Sequence, residues 1–284
     1  MNRMANTGNI IGNTIGVILK KPFIIIFWGV VTLIITLMGY LLPIFKIVFE
    51  LMTISGSNIF ESTMSFIQLI YSYVSNIKIV IICIVALLLI LFSIAVITAI
   101  FMSGYFFKLN NAVNKKESQK GEFSYGVRQY FNRICFMNFS LLVLGVVVFI
   151  VMAVASVPAL VITSALVGKG RDMLPQVLFV DALTGFVLFF GLMFFRIYAF
   201  FWHPAVINNK EKPFKEARKV TNKHFWRIVL VFTFFDVINI AFRMIFVKFD
   251  SNLIFLVLKW IFASIFYAMF TTYIFTAYRK YSKE

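Results

Sequence analysis

Apolar positions in this chain do not alternate with polar ones; they run on for long stretches and then stop. Six such stretches reach roughly 20 residues or more, the length needed to cross a hydrocarbon core as a helix. They run from about Pro22 to Phe45, Ile79 to Phe107, Phe136 to Val167, Val177 to Ile207, Ile228 to Val247 and Leu253 to Tyr278. Pro158, near the far end of the third, predicts a local bend there.

The polar positions between the stretches carry a second pattern. The N-terminal segment, the second-to-third and fourth-to-fifth connections and the C-terminal tail together hold 19 of the 27 Lys and Arg residues. The alternate connections hold five: Lys46, Lys78, Lys169, Arg171 and Lys248. Strict alternation of basic and non-basic loops is the signature of a chain threaded through a bilayer, with the basic loops inside. The expectation is a multi-pass protein of the cell membrane with both termini cytoplasmic.

Composition agrees. The chain has 284 residues, 61% of them hydrophobic and 13% charged, with a mean hydropathy of +0.93. A water-soluble core could not hide so much apolar surface. The net charge of +16 could in isolation suggest nucleic acid as a partner. Its placement beside the spans instead implies anionic lipid headgroups at the cytoplasmic face. The first apolar run has full spanning length and no small-residue cleavage pattern, which argues against a removable signal. Cys83 and Cys135 lie in or beside spans and read as packing residues rather than a disulfide framework.

Before the first, third and fifth spans lies an amphipathic stretch ending in basic residues: Gly12 to Lys21, Phe123 to Arg133 and Phe214 to Arg227. Each predicts a helix lying in the cytoplasmic headgroup layer and turning into a span. Helix, span, span, repeated at intervals of about 100 residues, makes a weak threefold internal repeat. Gly8, Gly12 and Gly16 either form a close-packing face on the first of these helices or mark a poorly helical start. Residues Ile47 to Asn76 read as an outer-surface helix hairpin, or alternatively as a cap for a ligand or partner.

The layout resembles a family of six-span bacterial membrane proteins related to the membrane domain of some glycerophosphoryl diester phosphodiesterases. There, a basic interfacial helix, often followed by Pro, leads into each alternate span. The matching pieces here are Leu19-Lys20-Lys21-Pro22 and the segment from His203-Pro204 through Phe214 to Arg227. The resemblance covers nearly the whole chain and implies the fold. The soluble phosphodiesterase barrel has no counterpart in these residues, so the activity is not implied.

Enzyme motifs are missing: no His-Glu-x-x-His, no Gly-x-Ser-x-Gly, no phosphate-binding glycine loop and no Cys/His metal spacing. Glu117, Glu122, Glu211 and Glu216 lie among lysines and read as solvated helix surface. The expectation is a non-enzymatic protein with no cofactor and no metal.

The candidate site rests on charges inside spans, which are costly and need partners. The antiparallel fourth and fifth spans each carry an Asp and an Arg at matching depths, which predicts two pairs, Arg196 with Asp236 and Asp181 with Arg243. Either the pairs fix the helix hairpin or they line a polar pathway or ligand site; Asp181 and Arg243 can also snorkel to the outer interface. Lys259 in the last span can snorkel or join Asp236. His203, between Trp202 and Pro204, reads as an interfacial belt residue. Two functions stay open. The leading one is a transporter- or permease-like bundle with an intramembrane polar site. The other is an accessory protein, such as an exporter subunit or a regulatory or immunity factor, with a membrane-protein partner or a second copy of itself. A lipid-modifying enzyme ranks third and would need a headgroup-level cleft lined by the loop acids.

Overall fold

A computed structural model describes residues 2–41, 76–117, 119–166, 174–208, 211–247 and 253–284. Every regular element among them is a helix: α1 (Asn2–Lys20), α2 (Phe23–Leu41), α3 (Ile77–Val113), α4 (Glu122–Leu166), α5 (Leu174–Ile207), α6 (Pro213–Val247) and α7 (Leu253–Tyr281). Helices α3 to α7 are each long and apolar enough to cross a membrane, and α1 with α2 makes a sixth candidate as a bent pair. The chain is an all-α, polytopic membrane protein.

Helix α1 shows how its pattern is used. Ile10, Thr14 and Ile18, four residues apart, are buried, while Gly12, Asn13, Ile15 and Leu19 are exposed. The helix packs on α7. The Thr14 hydroxyl returns a hydrogen bond to the Ile10 carbonyl at 2.9 Å, so burial leaves it satisfied. Pro22 then has no N–H to continue the ladder, and the axis turns by 85° between Ile10–Lys20 and Phe23–Leu37. The bend falls where the sequence predicts an interfacial helix to turn into a span, and by length and composition the two helices together count as one candidate span.

The other two amphipathic stretches depart from expectation. Residues 123–133 are the first turns of α4, which runs unbroken for 45 residues and continues through Pro158. Residues 214–227 are likewise the start of α6, interrupted only at His224, whose φ of −120° and ψ of 18° lie outside the helical region. The difference has a chemical cause. Only the first junction carries a proline; at the second every backbone N–H can join the helix, and at the third the run is interrupted at His224 alone. The threefold repeat is therefore a repeat of polarity, not of shape. The expected hairpin from Ile47 to Asn76 lies outside the described residues, apart from Asn76. There the carboxamide oxygen accepts from the Lys78 N–H at 3.2 Å, capping α3.

The basic loop joining α3 to α4 is tightly built. The Lys116 N–H reaches the Asn111 carbonyl and the Lys115 N–H reaches that of Ala112, at 3.0 and 3.1 Å. Lys115 sits in the left-handed region at φ 58°. Together these form a Schellman helix stop. Beyond the loop the two helices approach closely: a Cβ on Gly126 would stand 2.7 Å from the Phe107 Cβ and 3.2 Å from the Gly104 Cα.

Contacts sort the chain into two compact units. The first comprises Met1–Met38, Ile97–Asn138 and Met193–Glu284; the second comprises Gly39–Val96 and Phe139–Leu192. The first holds a core in which Ile197, Phe201, Phe232 and Tyr273 are wholly buried, with α7 packed on α6. The second holds smaller contacts, among them the edge-to-face pair Phe92–Phe139 at 5.8 Å and the Met152 methyl, which lies 3.0 Å from where a Cβ on Gly191 would stand.

Candidate functional site

Arg196 on α5 and Asp236 on α6 meet fork to fork within the first unit. Nη1 donates to Oδ2 at 2.7 Å and Nη2 donates to Oδ1 at 2.9 Å. Arg196 lies eleven residues before the end of α5, or ~16 Å along the helix axis. Its guanidinium is 5.9 Å from the centre of the Phe232 ring, one turn before Asp236 on the same face of α6. Phe232 itself is buried against Phe200 and Phe270. Sequence dictates the geometry: charges in apolar helices are rare, and two at matching depth on antiparallel neighbours can cancel one another. The side chains remain 32% and 24% exposed.

The other candidate charges are placed differently. Asp181 is an exposed residue of α5 in the second unit, and Arg243 is an exposed residue of α6 in the first. Lys259 is half-buried on α7. Of the expected pairings, Arg196 with Asp236 is formed within the first unit. His203 is half-buried, with its ring edge-on to Phe106 at 4.9 Å. Cys135 is buried and Cys83 exposed. Among the described residues, no three His, Cys, Asp or Glu side chains gather as a metal site.

A neutral polar network in the first unit was not anticipated from sequence. The Trp28 indole N–H is shared between the Tyr105 hydroxyl at 2.9 Å and the Thr271 hydroxyl at 3.0 Å. Those two hydroxyls lie 3.2 Å apart. One turn on, Thr32 and Ser264 hydroxyls meet at 2.9 Å, and the Trp260 N–H donates to the Gly29 carbonyl at 2.8 Å. The Tyr105 ring is stacked on Phe27, 4.0 Å between centroids. Helices α2, α3 and α7 are joined by groups that each remove a hydrogen-bonding need from an apolar interior. A signal was present: Trp28 and Thr32 on one span, and Trp260 and Ser264 on another, stand four residues apart on one face.

Two cavities open among the basic ends of the helices in the first unit. One, of about 950 Å³, is lined by α5 and α6 residues including Tyr198, Arg218, Asn222 and Arg227. The other, of about 770 Å³, is lined by Arg133, Trp202, Glu211, Lys212 and neighbours. Neither is lined by Arg196 or Asp236. Beside the first, at the α6 kink, the His224 ring stacks on Tyr281 at 4.2 Å and its Nε2 lies 3.6 Å from a Glu284 carboxylate oxygen.

In comparisons with known proteins, no family model, curated protein or solved structure matches this chain.

Proposed function

We propose that this integral membrane protein is non-enzymatic and works by assembly, as an accessory to another membrane component or to a second copy of itself. The observation that carries this reading is the fork-to-fork closure of Arg196 on Asp236. Each guanidinium nitrogen facing the pair already has its acceptor, and each carboxylate oxygen its donor. The bidentate positions of both groups are thus spent on each other rather than on a solute or ion. The cavities support the same reading, because they sit among basic helix ends rather than at the buried charges. In the proposed orientation both termini and the basic ends face the cytoplasm of the cell membrane, where anionic headgroups meet them. We extend the proposal to kinship with the six-span family named above, on layout alone.

A transporter-like role is the second reading. It is favoured by the exposure that the Arg196–Asp236 pair retains, about a third and a quarter of the two side chains. One experiment separates the two. In a chain with Cys83→Ser and Cys135→Ala, Asp236→Cys is combined with Arg196→Gln to keep the charge balanced. Membrane-impermeant thiol reagents are then added from each side. Assembly predicts no labelling of the inserted, folded protein. Labelling that a solute blocks would place water at the pair and establish the transport reading instead.

A further inference from the structure

The larger of the two cavities has a chemistry that the assembly role leaves unused. It gathers Tyr198 from α5 and Arg218, Asn222, Lys223 and Arg227 from α6, and no carboxylate is among its described lining residues. Arg218 and Arg227 come from opposite sides of the His224 kink, and both line this one space. Among the described residues neither has a salt-bridge partner. Lys223 is committed, its ammonium donating to the Glu284 main-chain oxygen at 2.6 Å, and contributes charge alone. The Tyr198 hydroxyl donates to the Asn222 carboxamide oxygen. With that oxygen engaged, Asn222 has mainly its two N–H donors to offer.

Two unpaired guanidinium groups and a carboxamide fixed as a donor suit an anion with several acceptor oxygens, a phosphate above all. We infer that this cavity binds the phosphate headgroup of an anionic phospholipid. What selects a lipid over free phosphate is the surface beside it. Trp226 lines the cavity, and Leu230 and Phe234 follow on the same face of α6; these three are 70%, 69% and 55% exposed. They form an apolar track leading from the phosphate position along the span, where an acyl chain would lie. A phosphate without chains has no use for it. The inference rests on the membrane placement of the basic helix ends, and is independent of whether the protein assembles or transports.

The test uses the full chain in phosphatidylcholine bilayers carrying brominated phosphatidylglycerol or brominated phosphatidylcholine. Bromine quenches nearby tryptophan, and the Trp226 contribution is the difference between the wild type and Trp226→Phe. The expected result is that brominated phosphatidylglycerol quenches Trp226 at about thirtyfold lower lipid fraction than brominated phosphatidylcholine, in line with two added basic contacts. Arg218→Gln with Arg227→Gln abolishes that preference. Arg128→Gln, an exposed basic residue of α4, leaves it intact. Equal quenching by the two lipids in the wild type would overturn the inference, as would a double variant that keeps the preference. Displacement of the brominated lipid by inorganic phosphate would also overturn it, assigning the cavity to the free ion. Should the glutamine pair fail to fold, Arg218→Lys with Arg227→Lys takes its place, with a weakened preference expected. The thiol-labelling result at position 236 is unaffected by any of these outcomes, so the two proposals fail separately.

Discussion

Helices α3, α4 and α5 each contribute to both units, yet they behave differently in the two. Along α3, the ten residues from Ile81 to Ile90 in the second unit are all exposed. Further along the same helix, Ser103, Gly104, Tyr105 and Phe106 in the first unit are consecutive and all buried. Hydrophobicity does not explain the contrast, since the exposed run is the more hydrophobic of the two. In a bilayer, lipid tails are as apolar as Leu, so apolar side chains gain nothing by leaving them. Helices close up where a small residue lets them approach, or where a polar group must find a partner. The first unit has both: Gly104 against Gly126, and the hydroxyl and indole groups around Tyr105. Along α3 the more apolar segment is the one less held by its neighbours.

The largest test of that contrast removes one buried charge. Asp236→Asn leaves the Arg196 guanidinium without a counter-charge at membrane depth, and the expected cost is about 3 kcal/mol. The double variant Arg196→Gln with Asp236→Asn, which replaces the ion pair by two amides, should recover most of it. Unfolding by sodium dodecyl sulfate in mixed micelles, followed by circular dichroism, reads both. If the single variant unfolds at the wild-type detergent fraction, the pair is not holding the first unit together.

Steric closeness gives the next largest effect, and one that compares the units directly. Gly126→Ala places a methyl 2.7 Å from the Phe107 Cβ and 3.2 Å from the Gly104 backbone. Neither can swing aside, so the expected loss is about 2 kcal/mol. At Gly185, on α5 in the second unit, a Cβ meets nothing within 4 Å. Gly185→Ala should be neutral or should stabilise by up to ~1 kcal/mol through helix propensity. Equal effects at the two positions, in the same detergent titration, would contradict the difference in packing.

Much of the fold could be read from the chain because a span is a sum over some twenty residues and tolerates local ambiguity. Arg196 and Asp236 were legible for the opposite reason: a charge in such a run is so unusual that its partner can be sought by depth alone. The fusion of residues 123–133 and 214–227 with the following spans was not legible. The headgroup boundary is marked by polarity, which sequence displays, but the helix ignores it unless a residue such as Pro22 withholds an N–H. The Trp28 network left only the four-residue spacing of Trp28 with Thr32 and of Trp260 with Ser264 as its mark, because Thr, Ser and Trp are ordinary residues in a span and carry no charge to flag them. Arg218 and Arg227 were hidden in a different way. They counted toward topology together with seventeen other basic residues, and only the kink at His224 sets them apart.

The smallest predicted effect probes the neutral network. Trp28→Phe removes one N–H shared between two acceptors, but the Tyr105 and Thr271 hydroxyls, 3.2 Å apart, keep each other. No buried group is orphaned, so the expected loss is about 1 kcal/mol, within the range of interhelical hydrogen bonds in membranes. Tyr105→Phe should cost about as much, and the two changes together less than their sum, because they remove the same contact. In the second unit, Phe92→Leu takes away only an edge-to-face ring pair from a half-exposed position and should fall below ~0.5 kcal/mol. The order of these two effects matters more than their size. If losing the Phe92 ring cost more than losing the Trp28 N–H, apolar contact would be the force that holds these helices, and the polar network of the first unit would be incidental to it.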